Sequence, residues 1–192
     1  MLKGTKIEWL KDVLLPLLIT ITGVYLGLLI NQWQAAQSNI SLLNRIRTEI
    51  REEVKQNLTF LQNNYAYHEK MRNYLLILPN VSTDSAKKIR SNFQGLRIDF
   101  FQKNAYQSAN NSGSFKIFPF EEYSKINKLY IQQEAMEVIG QMYLKEFLKI
   151  IISKDTSEEE YATFLSVFFA DTNQNEKTLI SDYKKWLEET KN

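Results

Sequence analysis

From Val13 to Ile30 the chain reads VLLPLLITITGVYLGLLI, without one charged residue, and then passes directly into Asn31, Gln32 and Trp33. A helix over this run rises about 27 Å, close to the ~30 Å hydrocarbon core of a bilayer. The stretch reads as a transmembrane anchor over 13–33, with Trp9 and Trp33 placed at the two membrane–water interfaces. Everything after it is read relative to membrane lipid, the first partner the sequence implies.

A cleaved secretory signal has a shorter apolar core, about 7–15 residues, followed by small residues at the cleavage site. Here the run is longer and ends in bulky, polar INQWQ, and the only passable site, Ala36-Gln37-Ser38, lies well beyond it. Retention as a single-pass anchor is the expectation. Lys3, Lys6 and Lys11 precede the helix, whereas only Arg45 and Arg47 follow it within 20 residues. The excess of basic residues on the first side predicts that 1–12 is a short cytoplasmic N-terminus. The main domain would then lie on the periplasmic or extracellular side of a bacterial inner membrane, the bacterial origin being read from the Asn, Lys and Ile bias.

Within the span, Gly23 and Gly27 form a GxxxG, with Thr20 one turn earlier on an adjoining part of that face. Small residues one turn apart let two helix backbones approach in lipid, so Thr20, Gly23 and Gly27 are the candidate packing face of a homo-oligomer. Pro16 falls in the first apolar turn, where a missing amide hydrogen costs least.

After the anchor an apolar phase runs through Leu43, Ile46, Ile50, Val54, Leu58, Leu61, Tyr65, His68, Met71, Leu75 and Leu78, every step being three or four. The mean step is 3.5, the spacing of a coiled-coil seam or of a long bundle helix. A stalk helix is predicted over about 38–78, continuous with the anchor unless QAAQSN caps a new start. Its candidate seam is Leu43, Ile46, Ile50, Val54, Leu58 and Leu61.

Pro79 to Asp84 reads as a turn, with helix resuming over about 85–93 and Gly95 interrupting it. LRIDFFQKNAYQSANNSG is read as short helical pieces ending with Gly113 in a left-handed cap, and SFKIFPF as an extended connector. Helical periodicity returns over 120–152, with Pro119 suited to its first turn. Ser157-Glu158-Glu159-Glu160 is a capping-box signature opening a helix over 157–170, and Asp171-Thr172-Asn173 is expected to separate it from a last helix over 175–190. The fold class is therefore all-α: a transmembrane helix continuing into a stalk, then a helical bundle within a soluble domain over 34–192.

Two patches resemble a family of bacterial single-pass membrane proteins of unknown function. Gly23, Val24, Gly27, Leu28, Ile30, Asn31 and Trp33 look like its anchor ending, G-[IV]-x-[IL]-[AG]-L-x-I-N-x-W, and Ala105-Tyr106 followed by Ser112-Gly113 is similar to a second segment of it. Where that family carries an acidic residue ahead of the anchor's glycine, this chain has Pro16 and an uncharged run. The resemblance implies a membrane-tethered helical domain and no activity.

Charge excludes little except nucleic acid: 24 Lys and Arg against 22 Asp and Glu, interspersed, give a net charge of +2 and no basic face. The basic run Arg45, Arg47, Arg51 and Lys55 is offset by glutamates. The chain has no cysteine and one histidine, His68, which falls on the apolar phase and reads as a core residue rather than a ligand or base. Glu121-Glu122 and Glu158 to Glu160 suit helix N-termini, and Glu52-Glu53 reads as part of a solvated face. No catalytic, metal or nucleotide motif appears, so neither an enzyme nor a cofactor is expected. The reading is a membrane-anchored helical interaction protein, an accessory subunit or self-associating scaffold. The alternative is an extracytoplasmic ligand-sensing helical domain working with a separate transducer.

Overall fold

The computed structural model describes residues 13–77, 83–153 and 156–191. Five α-helices and one short 3-10 turn follow one another: α1 Leu15–Ile77, α2 Thr83–Asn92, α3 Asn104–Asn111, the turn Ser114–Ile117, α4 Phe120–Ile152 and α5 Glu158–Glu189. No strand occurs among the described residues. Of the expected turn at Pro79 to Asp84, residues 79–82 lie outside them, as do the residues 1–12 with Trp9, whereas Thr83 and Asp84 already belong to α2.

The chain divides into two units between Arg45 and Ile46. From Leu15 on, the first unit is the leading part of α1. It is long and apolar enough to cross a membrane, and its apolar window has no buried residue. QAAQSN does not interrupt the helix, because its residues, free of Gly and Pro, propagate one.

The second unit is a helical bundle. α1 contributes Ile46, Ile50, Val54 and Leu61, all at most 4% exposed, with Leu58 half-buried. The 3.5 spacing is thus that of a bundle helix packed within its own chain. Its far half joins a cluster in which Tyr67, Met71, Ile89, Leu96 and Phe147 meet Tyr161, Leu165, Phe168 and Phe169. Ring pairs such as Tyr67–Phe169 and Tyr143–Phe168 meet edge to face.

The ends of the later helices follow local chemistry. Gly113 has φ 69°, the left-handed conformation that closes α3 without a Cβ penalty. Pro119 is the N-cap of α4 rather than a member of its first turn, and Ser157 and Glu160 form a reciprocal capping box on α5.

Three expectations are corrected. Residues 93–103 are neither helical pieces nor strand but an irregular segment lying against the bundle. SFKIFPF winds its first four residues into the 3-10 turn, and only Phe118 is extended. Helix α5 runs unbroken through Asp171-Thr172-Asn173. Its buried positions Leu165, Phe169, Asn173, Glu176, Leu179 and Tyr183 keep one phase across the expected break, so packing overrides the local preference of Asp and Asn for turns.

Candidate functional site

An irregular segment pressed against helices has no neighbouring backbone to pair with, yet its buried N–H and C=O groups must be satisfied. Residues 93–103, the strap, meet backbone at their two ends, where the Phe93 N–H donates to the Ile89 carbonyl and the Lys103 carbonyl accepts from the Gln107 N–H; between those ends side chains supply the partners. Tyr67 receives the Gln94 N–H on its hydroxyl oxygen at 2.9 Å and donates to the Gly95 carbonyl at 3.0 Å. His68 Nε2 lies 2.8 Å from the Leu96 carbonyl oxygen. Asn64 Nδ2 donates to the Arg97 carbonyl and, at 2.7 Å, to Asp99 Oδ1. Asn57 exchanges two bonds with the Gln102 backbone, at 2.8 and 2.9 Å. From α4, Glu137 accepts from the Phe101 N–H and from Lys103 Nζ.

One turn earlier on the same face of α1, Glu53 accepts from the Ala105 N–H at 2.8 Å and from the Tyr130 hydroxyl at 2.5 Å. It thereby caps the N-terminus of α3, where a carboxylate meets both free amides and the positive end of the helix dipole. Glu53 is 6% exposed, so it is not part of a solvated face; only its neighbour Glu52, paired with Lys55, is. Burial and the Glu53 carboxylate together raise the Tyr130 hydroxyl above its ordinary range.

The strap runs back along α1 in the opposite direction: 53 meets 105, 57 meets 102, 64 meets 97 and 99, and 67 meets 94 and 95. Its start is curled. Gly95 has φ 90° and Arg97 φ 48°, and the Arg97 guanidinium sits 4.2 Å from the centre of the Tyr67 ring. On its other side the strap touches α4 at Gly140. A Cβ there would lie 2.5 Å from Ile98 Cγ2, so only glycine admits the strap at this depth.

At the middle of the strap three ionisable side chains from three elements meet. His68 from α1 and Glu176 from α5 are fully buried, with Nδ1 2.8 Å from Oε1, and Asp99 from the strap is 4% exposed. Burial pushes the Asp99 carboxyl up to about 7, reinforced by the Glu176 charge, and pushes Glu176 up to about 8. Burial also lowers the His68 imidazole, an effect that the Leu96 carbonyl and Asp99 oppose. Beside them the side-chain amide of Gln133, Asn173 Nδ2, Glu176 Oε2 and the Tyr183 hydroxyl are buried and meet no hydrogen-bond partner among the described residues. A cavity of ≈ 20 Å³, large enough for one water molecule, is lined by Asp99, Ile98, Gly140 and Thr172. Among the described residues no group of three or more His, Cys, Asp and Glu side chains is placed to hold a metal ion.

The residues singled out from the sequence fall in two separate places. Trp33, Gly23 and Gly27 lie on the exposed part of α1, where nothing stands within 4 Å of a Cβ built on either glycine. The Thr20 hydroxyl donates to the Pro16 carbonyl at 2.9 Å, so its polar atom is satisfied within its own helix. Leu43 and Leu58 are half-buried, and Ile46, Ile50, Val54 and Leu61 are core. His68 is the core residue expected of it, but Glu53, Asn57, Asn64, Asp99 and Glu176 were not legible as a set. A signal did exist: 53, 57, 64 and 68 are polar residues spaced four, seven and four apart along one side of a helix, on or one position before its apolar phase. No protein-family model matches the chain, and no curated protein or solved structure matches it either.

Proposed function

We propose that this chain is a single-pass protein of a bacterial inner membrane whose helical domain acts by protein contact, as an accessory subunit or a self-associating scaffold. The observation that carries the reading is the leading part of α1, uncharged from Val13 to Ile30, wholly exposed, and continuous with the helix that forms the core of the bundle. A soluble chain leaving so much apolar surface in water would aggregate; a lipid environment resolves it. The open backbone at Gly23 and Gly27 favours association through that helix. The resemblance of the anchor's end to a membrane-tethered family supports the same reading. On it, the domain lies outside the cytoplasm, and the buried polar side chains serve to hold the strap rather than to turn over a substrate.

Crosslinking in native membranes, followed by purification through a C-terminal tag, tests the proposal. A stoichiometric membrane partner, or self-crosslinks that Gly23→Leu abolishes, is the expected outcome; a monomer with neither overturns it. Topology is checked separately. The chain has no cysteine, so Ala170→Cys, exposed on α5, gives one site for an impermeant thiol reagent. Labelling in intact spheroplasts is expected, and labelling only after lysis would place the domain in the cytoplasm.

A further inference from the structure

His68, Glu176 and Asp99 are withdrawn from water, and their geometry fixes where protons must lie. The Leu96 carbonyl can only accept, so His68 Nε2 carries a hydrogen and donates it at 2.8 Å. That leaves Nδ1 facing Glu176 Oε1 at 2.8 Å, a contact that requires one proton between the two atoms. Either Glu176 is protonated and donates to the imidazole, or the imidazolium donates to the carboxylate. Asp99 accepts from Asn64 on Oδ1 and stands close enough to Glu176 for the two carboxyls to affect each other's ionisation. With one proton shared by His68 and Glu176 and a second on Asp99, the cluster is neutral. Removing either leaves a net negative charge in the core.

We propose that Asp99, Glu176 and His68 together form a proton-binding site that fastens the strap to the bundle and loosens it as protons leave. The strap supplies one member itself, so the charge that appears on deprotonation sits on the segment that must move. Every other charged or ionisable group facing the cluster is placed without neutralising it. Arg97, on the strap, is exposed and engaged over the Tyr67 ring. Glu137, on α4, is a further anion, paired with Lys103. Tyr183 on α5 and Tyr65 and Tyr67 on α1 are neutral phenols, Tyr65 donating its hydroxyl hydrogen to Glu69, and Glu53 is a carboxylate farther along α1. The cavity beside Asp99 admits a molecule the size of water, through which the site exchanges protons.

The direction with pH follows by linkage. Both carboxyls have docked pKa values above their free ones, so they bind more protons docked than released. Their contribution is full below the free carboxyl range and is lost as pH rises through the docked values. His68, lowered by burial, acts oppositely, but only below its free value of 6.5. Above that, nothing offsets the carboxyls, and release increases until the docked values are passed. This inference concerns the domain alone and stands independently of what the domain contacts.

The test uses the full chain in detergent micelles. Exchange of the Phe101 and Gln102 amides, which are bonded only to side chains, reports release; values are corrected for intrinsic exchange. Between about pH 6.5 and about pH 8 the opening equilibrium is expected to rise roughly tenfold or more and then level off. Asp99→Asn with Glu176→Gln keeps hydrogen-bonding side chains at both sites, and it is expected to flatten that response. Because the chain has one histidine, a histidine-selective ¹⁵N label reads a single imidazole in the wild type. Its Nε2 is expected to stay protonated throughout, and its Nδ1 resonance to shift with the midpoint of strap release. Constant amide protection across the range overturns the proposal, as does an imidazole titrating freely near 6.5 or a double variant with the wild-type response. The imidazole measurement decides the matter if the double variant does not fold.

Discussion

From Leu15 to Trp33, helix α1 exposes every side chain, whereas from Ile46 to Met71 the same helix buries ten, four of them polar or charged: Glu53, Asn57, Asn64 and His68. The backbone geometry is shared, so the difference lies in what surrounds each part. The leading part is exposed on all sides and carries no charged side chain; on the proposed reading its solvent is lipid. The later part needs a specific neighbour, and it encodes that neighbour as hydrogen-bonding groups set among apolar ones.

The most severe way to break this contrast is to charge the first part. Ile21→Arg with Val24→Arg costs about 2.5–3.5 kcal/mol for each arginine near the middle of a membrane helix. The protein is expected to leave the membrane pellet on an alkaline wash, with the thermal midpoint of the bundle unchanged. Retention in the pellet would show that lipid does not hold this stretch. In the second part, Ile50→Ala removes a side chain with no exposed surface. A loss of about 2–5 kcal/mol in chemical denaturation is expected, without release from the membrane.

The strap sharpens the comparison further. Gly140→Ala forces a methyl group against Ile98, at 2.5 Å from Cγ2. A destabilisation of about 1–3 kcal/mol is expected, seen as faster amide exchange at 98–102 before the rest of the bundle is affected. Asn57→Ala leaves the Gln102 N–H and carbonyl without their partner, a loss of about 1–3 kcal/mol where those groups stay buried. Ser157→Ala should have the smallest effect, about 1 kcal/mol, because it removes one side-chain acceptor from an exposed helix end. It should leave strap exchange untouched.

What the sequence made legible was whatever depends on spacing or on one local motif. The uncharged run, the phase from Ile46 to Met71, the 120–152 helix, the capping box at Ser157 and the left-handed Gly113 are of that kind. The strap was not, because Leu96, Ile98 and Phe100 alternate like a strand, while the side chains that bond the Gln94 N–H and the Leu96 carbonyl lie 27 and 28 residues away. Asp171-Thr172-Asn173 misled for the related reason that these residues favour turns only when nothing packs on them. Here Asn173 faces the core and Asp171 accepts from the Tyr143 hydroxyl. Glu53 misled because its neighbours Glu52 and Lys55 do form a charged outer face, and one turn of a helix holds both environments. For the buried cluster, His68 was visible as a core residue, but its companions come from 31 and 108 residues further along, and no periodicity links them.

The reversed order of the strap's contacts also sets an order of assembly. The innermost bond, from the Gln94 N–H to Tyr67, spans 27 residues, and the outermost, from Ala105 to Glu53, spans 52. Once the first has formed, each later one closes only a short additional length of chain, so its entropic cost is small. All of these partners precede the strap in the chain and are present on α1 as the strap is synthesised. Glu137 follows it and Glu176 comes last, 108 residues after His68. The strap can therefore zip along α1 before α4 and α5 exist, leaving those helices to close over a template already laid down.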